Sequence, residues 1–296
     1  MPLVCVVMPV YNGQRFVKRA IQSVLEQTFA DFEFVIVDDG STDETPAILR
    51  ECAARDERIR IISRPNTGIV GALNDGLAAA TGKYLARIDA DDWSAPGRFE
   101  LQVQRLDSDP RLVAVGCGAV VVDPDGERLG EFPVPLEHEE IEAQHLAGES
   151  SIHHPAVMMR TQAVRQVGGY REGFCPAEDF DLWVRLGEVG RLANLADYLI
   201  TKRLTEDGIV GSTLERQGQV IERILQDAWA RRGLPGAPVV PARSLMRRAD
   251  LYRQWAWLAL KDGSPRVARK YAFRALQQQP CHPQSWRAVL CAIRGR

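Results

Sequence analysis

The sequence predicts an α/β fold in which a mostly parallel sheet is flanked by helices and followed by an all-α extension. Three observations carry this expectation. Short apolar runs alternate with stretches of helical periodicity over residues 3–88. Polar sets stand at the ends of three of those runs, where an open parallel sheet presents its ligand-binding edge. The charge then changes sign: residues 1–212 hold 21 Lys+Arg against 34 Asp+Glu, a net of −13, and residues 213–296 hold 16 against 5, a net of +11. A split of that size marks a change of unit. The expected organisation is therefore residues 1–212 as the α/β domain and 213–296 as the helical extension.

The elements follow in order. Leu3 to Val10 is a buried strand closed by the turn Tyr11-Asn12-Gly13. Phe16, Ala20, Ile21, Val24 and Leu25 recur at helical spacing. Phe32 to Val37 is a second strand and stops at Asp38-Asp39-Gly40-Ser41. The stretch Thr42-Asp43-Glu44-Thr45 opens the next helix, with a Ser or Thr N-cap expected and Pro46 in the first turn. Ile59 to Ile62 is a third strand, Ile69 to Ala80 a helix of small residues, and Tyr84 to Ile88 a fourth strand. Strand and helix in alternation call for parallel pairing with right-handed crossovers. Beyond them come a helix over Arg98 to Leu106, a long strand over Val113 to Val122, and a hairpin return at Arg128 to Phe132. Glu137 to Ala147 is a helix with a solvated acidic face. His153 and His154 precede the strand Ala156 to Met159; without a ligand-spacing partner they read as structural or pocket histidines. Phe180 to Val189 is a helix with Glu178-Asp179 at its start, where the helix dipole favours carboxylates.

Composition narrows the class. Apolar content of 45% and charged content of 26% suit a soluble globular protein with a full core. No apolar window nears the roughly 18 residues of a membrane span. The apolar start, Met1 to Val10, lacks a basic n-region and a small-residue cleavage site, so it reads as a strand and the protein is expected in the cytoplasm. Cys5, Cys52, Cys117, Cys175, Cys281 and Cys291 are scattered with no Cys-x-x-Cys pair, which argues for reduced thiols.

The chemistry concentrates in Ile88-Asp89-Ala90-Asp91-Asp92, three carboxylates at one strand end. Left alone they repel one another and raise each other's pKa. Either they form a solvated acidic turn or a hard divalent cation, Mg²⁺ or Mn²⁺, relieves the repulsion with Asp91 as the leading ligand. No Gly-x-Gly-x-x-Gly follows the first strand and no Gly-Lys-Ser/Thr loop exists, which disfavours a dinucleotide-dependent dehydrogenase or a P-loop enzyme.

The blocks VVMPVYNG (Val6 to Gly13), VIVDDGSTDET (Val35 to Thr45), NTGIVGALNDGL (Asn66 to Leu77) and YLARIDADDWSAPGRFELQ (Tyr84 to Gln102) resemble a family 2 glycosyltransferase of the GT-A fold. The likeness continues through HPAVMMR, VGGYRE and AEDFDLWVRL and covers about residues 3–205. It implies an inverting, nucleotide-sugar-dependent transferase, with UDP favoured. It implies Asp179 as the base and Glu178 as its alternate. Pro9, Tyr11, Asn12, Asp39 and Asp89 would bind the nucleotide sugar, and Asp91 with Asp89 the metal. The acceptor would be a glycan or a lipid-linked sugar, in polysaccharide or glycoconjugate synthesis. One departure stands out. Where many relatives carry a His in a Tyr-Arg-x-His stretch, this chain has Lys202-Arg203-Leu204-Thr205, so Lys202 or Arg203 offers a substitute cation for the diphosphate, with surface charge the equal alternative.

The extension begins with a helix over Ser212 to Gly233 and a Pro/Gly linker over Leu234 to Pro241. Leu251, Trp255, Leu258, Ala268, Tyr271, Ala275 and Pro280 then resemble one or two hairpins of the tetratricopeptide type. From Arg243 to Arg296, twelve Lys+Arg face only Asp250 and Asp262: first of all a solvated face that balances the acidic domain, and alternatively a surface for peripheral association with an anionic membrane at its inner face; no nucleic acid is expected. Two rivals remain. A nucleotide-sugar-binding scaffold that has lost turnover would show a damaged acidic loop or base, and both are intact. A sugar nucleotidyltransferase needs a Gly-rich, Arg-containing loop after the first strand, which Pro9 to Gly13 does not supply.

Overall fold

A computed structural model of the chain describes residues 1–206, 212–239 and 247–295. The end of the expected linker, residues 240–241, and the basic residues Arg243 and Arg296 lie outside the described residues. Among the described residues, nine strands form one sheet: β1 (Val4–Val10), β2 (Phe32–Asp38), β3 (Ile59–Ser63), β4 (Tyr84–Arg87), β5 (Trp93–Ser94), β6 (Leu112–Val122), β7 (Arg128–Phe132), β8 (Met158–Arg160) and β9 (Arg191–Arg203). Their spatial order is β3-β2-β1-β4-β8-β6-β9-β5, with β7 paired to β6. The first four strands pair in parallel, with Val4 opposite both Phe32 and Tyr84. Beyond β4 the sense reverses, since β8 runs antiparallel to both β4 and β6. The parallel half is the part that helices link directly, and β8, lying between β4 and β6, joins it to the antiparallel half.

The helices are α1 (Val17–Leu25), α2 (Thr45–Ala53), α3 (Ile69–Ala79), α4 (Arg98–Ser108), α5 (His138–Leu146), α6 (Thr161–Gln166), α7 (Glu178–Leu186), α8 (Ser212–Arg232), α9 (Arg248–Lys261), α10 (Pro265–Gln278) and α11 (Pro283–Arg294). Alternation along β1 divides the core between the two sheet faces. Val4, Val6 and Met8 pack with Ile21, Val24 and Phe99 on one face, and Cys5 and Val7 with Leu73, Leu77 and Trp183 on the other. A Cβ at Gly76 would collide with Val7, so the small residues of α3 let that helix lie close on β1. At α2 the N-cap is Glu44, whose side chain makes no cap hydrogen bond, in place of the expected Ser or Thr; Asp43 just before it accepts the Thr45 N–H on Oδ1 at 2.9 Å.

The chain separates into two compact units. The first comprises Met1–Ala119, Pro133–Thr201 and Val220–Val240; the second comprises Val120–Phe132, Lys202–Gln219 and Pro241–Arg296. These divisions differ from a single cut after residue 212. The hairpin of β6 and β7 belongs with the C-terminal helices, because Val121 and Leu129 are buried in one cluster with Trp255, Tyr271 and Ala288. In the second unit the fully buried Asp123 accepts from the Tyr271 hydroxyl at 2.7 Å and pairs with Lys270. The Lys270 ammonium also reaches Asp125 and Glu127, each at 2.8 Å. Burial pulls the Lys270 pKa down, and these three carboxylates more than reverse it, holding it above its ordinary value. Arg203 is buried and donates to the Asp123 and Pro124 carbonyls, so its guanidinium braces the hairpin turn rather than standing ready for a diphosphate. All six cysteines are free thiols.

Candidate active site

Parallel pairing brings the C-terminal ends of β1, β2 and β4 to one edge. There a cleft of about 310 Å³ is lined by Pro9, Val10, Tyr11, Asp39, Asn66, Gly68, Ile69, Ala72 and Asp89. Asp39 forms one wall and is itself tied down: it accepts the Thr67 N–H at 3.2 Å and the Gly68 N–H at 2.9 Å, and Arg64 lies 3.3 Å from it. Gly40 follows at φ +77°, and a Cβ there would sit 2.7 Å from the Asn66 amide, so the turn that aims Asp39 requires glycine. Tyr11 is 53% exposed, an aromatic face open at the cleft rather than packed in the core. Asn12 is not among the lining residues. It adopts a left-handed conformation, and its side-chain carbonyl accepts the Thr42 N–H at 2.8 Å, stitching the loop after β1 to the loop after β2.

Asp89, Asp91 and Asp92 leave the end of β4 with carboxylate oxygens all within 4.8 Å of one another. That is the donor set a hard divalent cation takes: several carboxylate oxygens gathered at one place. Asp89 also forms an ion pair with Arg87, whose side chain is 2% exposed. Burial acts against the Arg87 charge, and Asp89, Tyr170 and Asp92 more than offset it, so its pKa stays above the ordinary value. Arg98, fully buried, donates to the Arg87 carbonyl at 2.7 Å and to the Pro155 carbonyl and the Ser94 hydroxyl, each at 2.9 Å. It thereby ties the end of β4 to β5 and to the turn at Pro155. Burial lowers the Arg98 pKa to about 10.

The second carboxylate pair starts α7. Glu178 is buried and Asp179 is half-buried. Burial first, and the Asp179 charge second, push the Glu178 carboxyl up to about 7. Arg87 partly counters this, which ties Glu178 electrostatically to the β4 acids. Tyr170 is buried among the same groups, and its pKa is raised first by burial, with Asp179, Glu178 and Asp89 adding to it. Its hydroxyl meets His154 Nε2 at 2.8 Å, and His154 sits edge-on to Trp183 at 5.8 Å. His154 is thus a satisfied pocket histidine, in keeping with its lack of ligand spacing. The helix itself is held by Asp181, which pairs with Arg171 and, at 2.6 Å, with Arg185. A second cleft of about 470 Å³ adjoins the first through Gly68 and Ile69 and is lined on its far side by Glu172, Gly173 and Cys175.

Arg87 and Tyr170 were not singled out from the sequence. A signal existed for Arg87: a charge inside the apolar run Tyr84 to Ile88 must find a partner when buried, and three acids follow it. Tyr170 gives no such sign, because only the tertiary fold brings it beside β4.

Comparison with known proteins identifies the family. The model of the Glycosyl transferase family 2 matches residues 5–168. An uncharacterized glycosyltransferase of Haemophilus influenzae is 32% identical over 69% of this chain and 66% of its own length. The putative glycosyltransferase EpsE of Bacillus subtilis is 36% identical over 70% of this chain and 74% of its own. A chondroitin synthase of Pasteurella multocida is 31% identical over 73% of this chain, which spans only 22% of that longer protein. The chain belongs to glycosyl transferase family 2, and with it to the glycosyltransferases. Among solved structures, TarS 1-349 of S. aureus in complex with UDP-GlcNAc aligns with a TM-score of 0.61 at 18% identity, over 99% of this chain and 81% of its own. The mannosyltransferase PcManGT of Pyrobaculum calidifontis, in complex with GDP-Man and Mn²⁺, gives 0.58 at 20% identity, over 99% and 80%. The likeness shows the GT-A fold.

Proposed function

We propose that the protein transfers a sugar, with inversion, from a nucleotide-sugar donor to a hydroxyl of a glycan or lipid-linked acceptor in polysaccharide or glycoconjugate synthesis. The observation that carries this reading is the convergence of Asp89, Asp91 and Asp92 within 4.8 Å beside a cleft that Asp89 also lines. The nucleotide would lie between Tyr11, Pro9 and Asp39, with UDP favoured. The carboxylate of Asp39 suits the N–H of a pyrimidine base, and the exposed ring of Tyr11 suits its face. Asp91 and Asp89 would hold Mg²⁺ or Mn²⁺, which when bound stabilises the negative charge of the leaving nucleoside diphosphate. Asp92, 2% exposed, would support the loop.

Asp179 takes the proton from the acceptor hydroxyl in this reading. It is half-buried and so reachable, while Glu178 is buried and holds its proton up to about pH 7. Access for the incoming acceptor hydroxyl is what favours Asp179 over its buried neighbour. Because the displacement is a single inverting step, no nucleophilic side chain is required. The relatives' names and the two nucleotide-sugar complexes support the class of donor. A cytoplasmic location suits a chain whose six cysteines are all free thiols. A binding protein without turnover would gain nothing from an intact acidic loop and an intact Glu178-Asp179 pair.

The test is release of nucleoside diphosphate from a panel of nucleotide sugars with Mn²⁺. The expected result is turnover with at least one UDP-sugar, abolished by chelation. Asp91→Asn should keep the wild-type melting temperature without metal and lose Mn²⁺-dependent donor binding. Unchanged Mn²⁺ dependence in that variant would remove Asp91 as a ligand.

A further inference from the structure

Helix α11 buries one side and leaves another bare. Ser285, Ala288, Val289 and Ala292 are buried against the second unit. Trp286, Leu290 and Ile293 stand 52%, 52% and 57% exposed. Their spacing of four and then three residues makes one stripe along the helix. Arg287 and Arg294 follow Trp286 and Ile293 by one position each, so they flank the stripe on the same side. Trp286 is oriented by its indole N–H, which donates to the Pro280 carbonyl at 2.8 Å. Arg287 lies over the ring of Trp257 at 5.8 Å and, with Trp257 and Gln284, lines a cleft of about 310 Å³. Neither α10 (PRVARKYAFRALQQ) nor α11 (PQSWRAVLCAIR) carries a single carboxylate side chain, while Arg266 and Arg269 of α10 are exposed.

We propose that this face of α11 docks on the surface of an anionic phospholipid bilayer. The chemistry matches in two ways. Trp and branched aliphatic side chains in one stripe suit the boundary between headgroups and acyl chains. The arginines beside them suit headgroup phosphates, and nothing acidic on either helix opposes the approach. A second copy of the chain is the weaker occupant. A twofold contact through this stripe would set Arg287 and Arg294 of both copies against each other. Three side chains on one short helix also fall short of the roughly 1,000 Å² that a stable interface needs. Neither the surface nor its test depends on the donor chemistry.

The experiment is flotation of the full-length protein with vesicles of phosphatidylcholine alone and of phosphatidylcholine with phosphatidylglycerol. Wild type is expected to float with the anionic vesicles at low salt, to stay behind with the neutral ones, and to be released as salt rises. Replacing Arg287 and Arg294 by Gln should weaken binding roughly 5-fold per arginine. The pair Trp286→Gln with Ile293→Gln should abolish flotation at any salt while leaving the melting temperature unchanged. The proposal is overturned if wild type fails to float with anionic vesicles, or if the Trp286/Ile293 variant floats as well as wild type. It is also overturned if light scattering finds a wild-type dimer that the same variant dissolves, since the face would then be an interface between copies.

Discussion

Asp179 and Glu178 are neighbours at one helix start with different duties, and substitution separates them. Asp179→Asn keeps the size and can still accept at the helix start. Folding and donor affinity should be near normal, with transfer at saturating donor reduced by about 10²–10⁴-fold, the contribution of a positioned base. If Glu178→Gln suffers that loss instead, the base is Glu178. The stability of Glu178→Gln gives an independent readout. In the folded protein burial raises the Glu178 carboxyl from its ordinary 4.5 to about 7. The folded state therefore binds more protons than the unfolded chain between those values. The favourable contribution is complete below about pH 4.5 and is lost as pH rises through 7. In chelated buffer, Glu178→Gln should melt above wild type at about pH 8, by at most about 3 kcal/mol, and the gap should close near pH 5. A gap independent of pH would mean that Glu178 is ionised throughout.

At the scale of elements, the strand ends decide the site, and most of them were legible. The runs Leu3 to Val10 and Phe32 to Val37 match β1 and β2 closely, because buried parallel strands are continuous apolar stretches bounded by turn residues. The antiparallel half was less legible. Residues 191–197 of β9 alternate weakly and include the exposed Ala196 and Asp197, so the apolar pattern of a strand is legible only from Tyr198 onward. The His153-His154-Pro155 segment begins a 3₁₀ turn that shortens the expected strand to Met158–Arg160. Strand β4 carries Arg87, a charge inside an apolar run, buried and paired with Asp89 next to the carboxylates that would hold the metal. Arg87→Met removes one partner of a buried pair and should cost about 3–5 kcal/mol. It also removes a resident cation from the acidic site, so Mn²⁺ followed by electron paramagnetic resonance should bind several-fold tighter without donor, while transfer falls. Arg87→Lys should recover stability in part and restore the Mn²⁺ affinity toward wild type. A variant that loses stability with no change in Mn²⁺ affinity would reduce Arg87 to a structural role.

At the scale of the whole molecule, the charge switch near residue 212 and the Pro/Gly stretch after it suggested a cut that the packing does not follow. The hairpin of β6 and β7, early in the chain, shares its core with α9, α10 and α11. No local pattern announces this, since Val121 and Leu129 read as ordinary strand residues and their partners lie more than a hundred residues further on. Hairpin and helices are then clasped by Lys270 on Asp123, Asp125 and Glu127, and by Arg128 with Asp262 at 2.8 Å. Removing residues 236–296 would strip Val121, Leu129 and Leu204 of their apolar neighbours and leave Asp123, 0% exposed in the intact chain, without Lys270 and Tyr271. Uncovering three large side chains costs about 1.5–3 kcal/mol each, a substantial part of the 5–15 kcal/mol that holds a typical domain together. The truncated protein should therefore aggregate or bind a hydrophobic dye during expression and heating. A second truncation that also replaces residues 120–132 by a short polar turn should behave better in both respects. If the simple truncation proves soluble, monomeric and as heat-resistant as the full chain, the hairpin does not need the C-terminal helices, and a cut near residue 212 would describe the molecule after all.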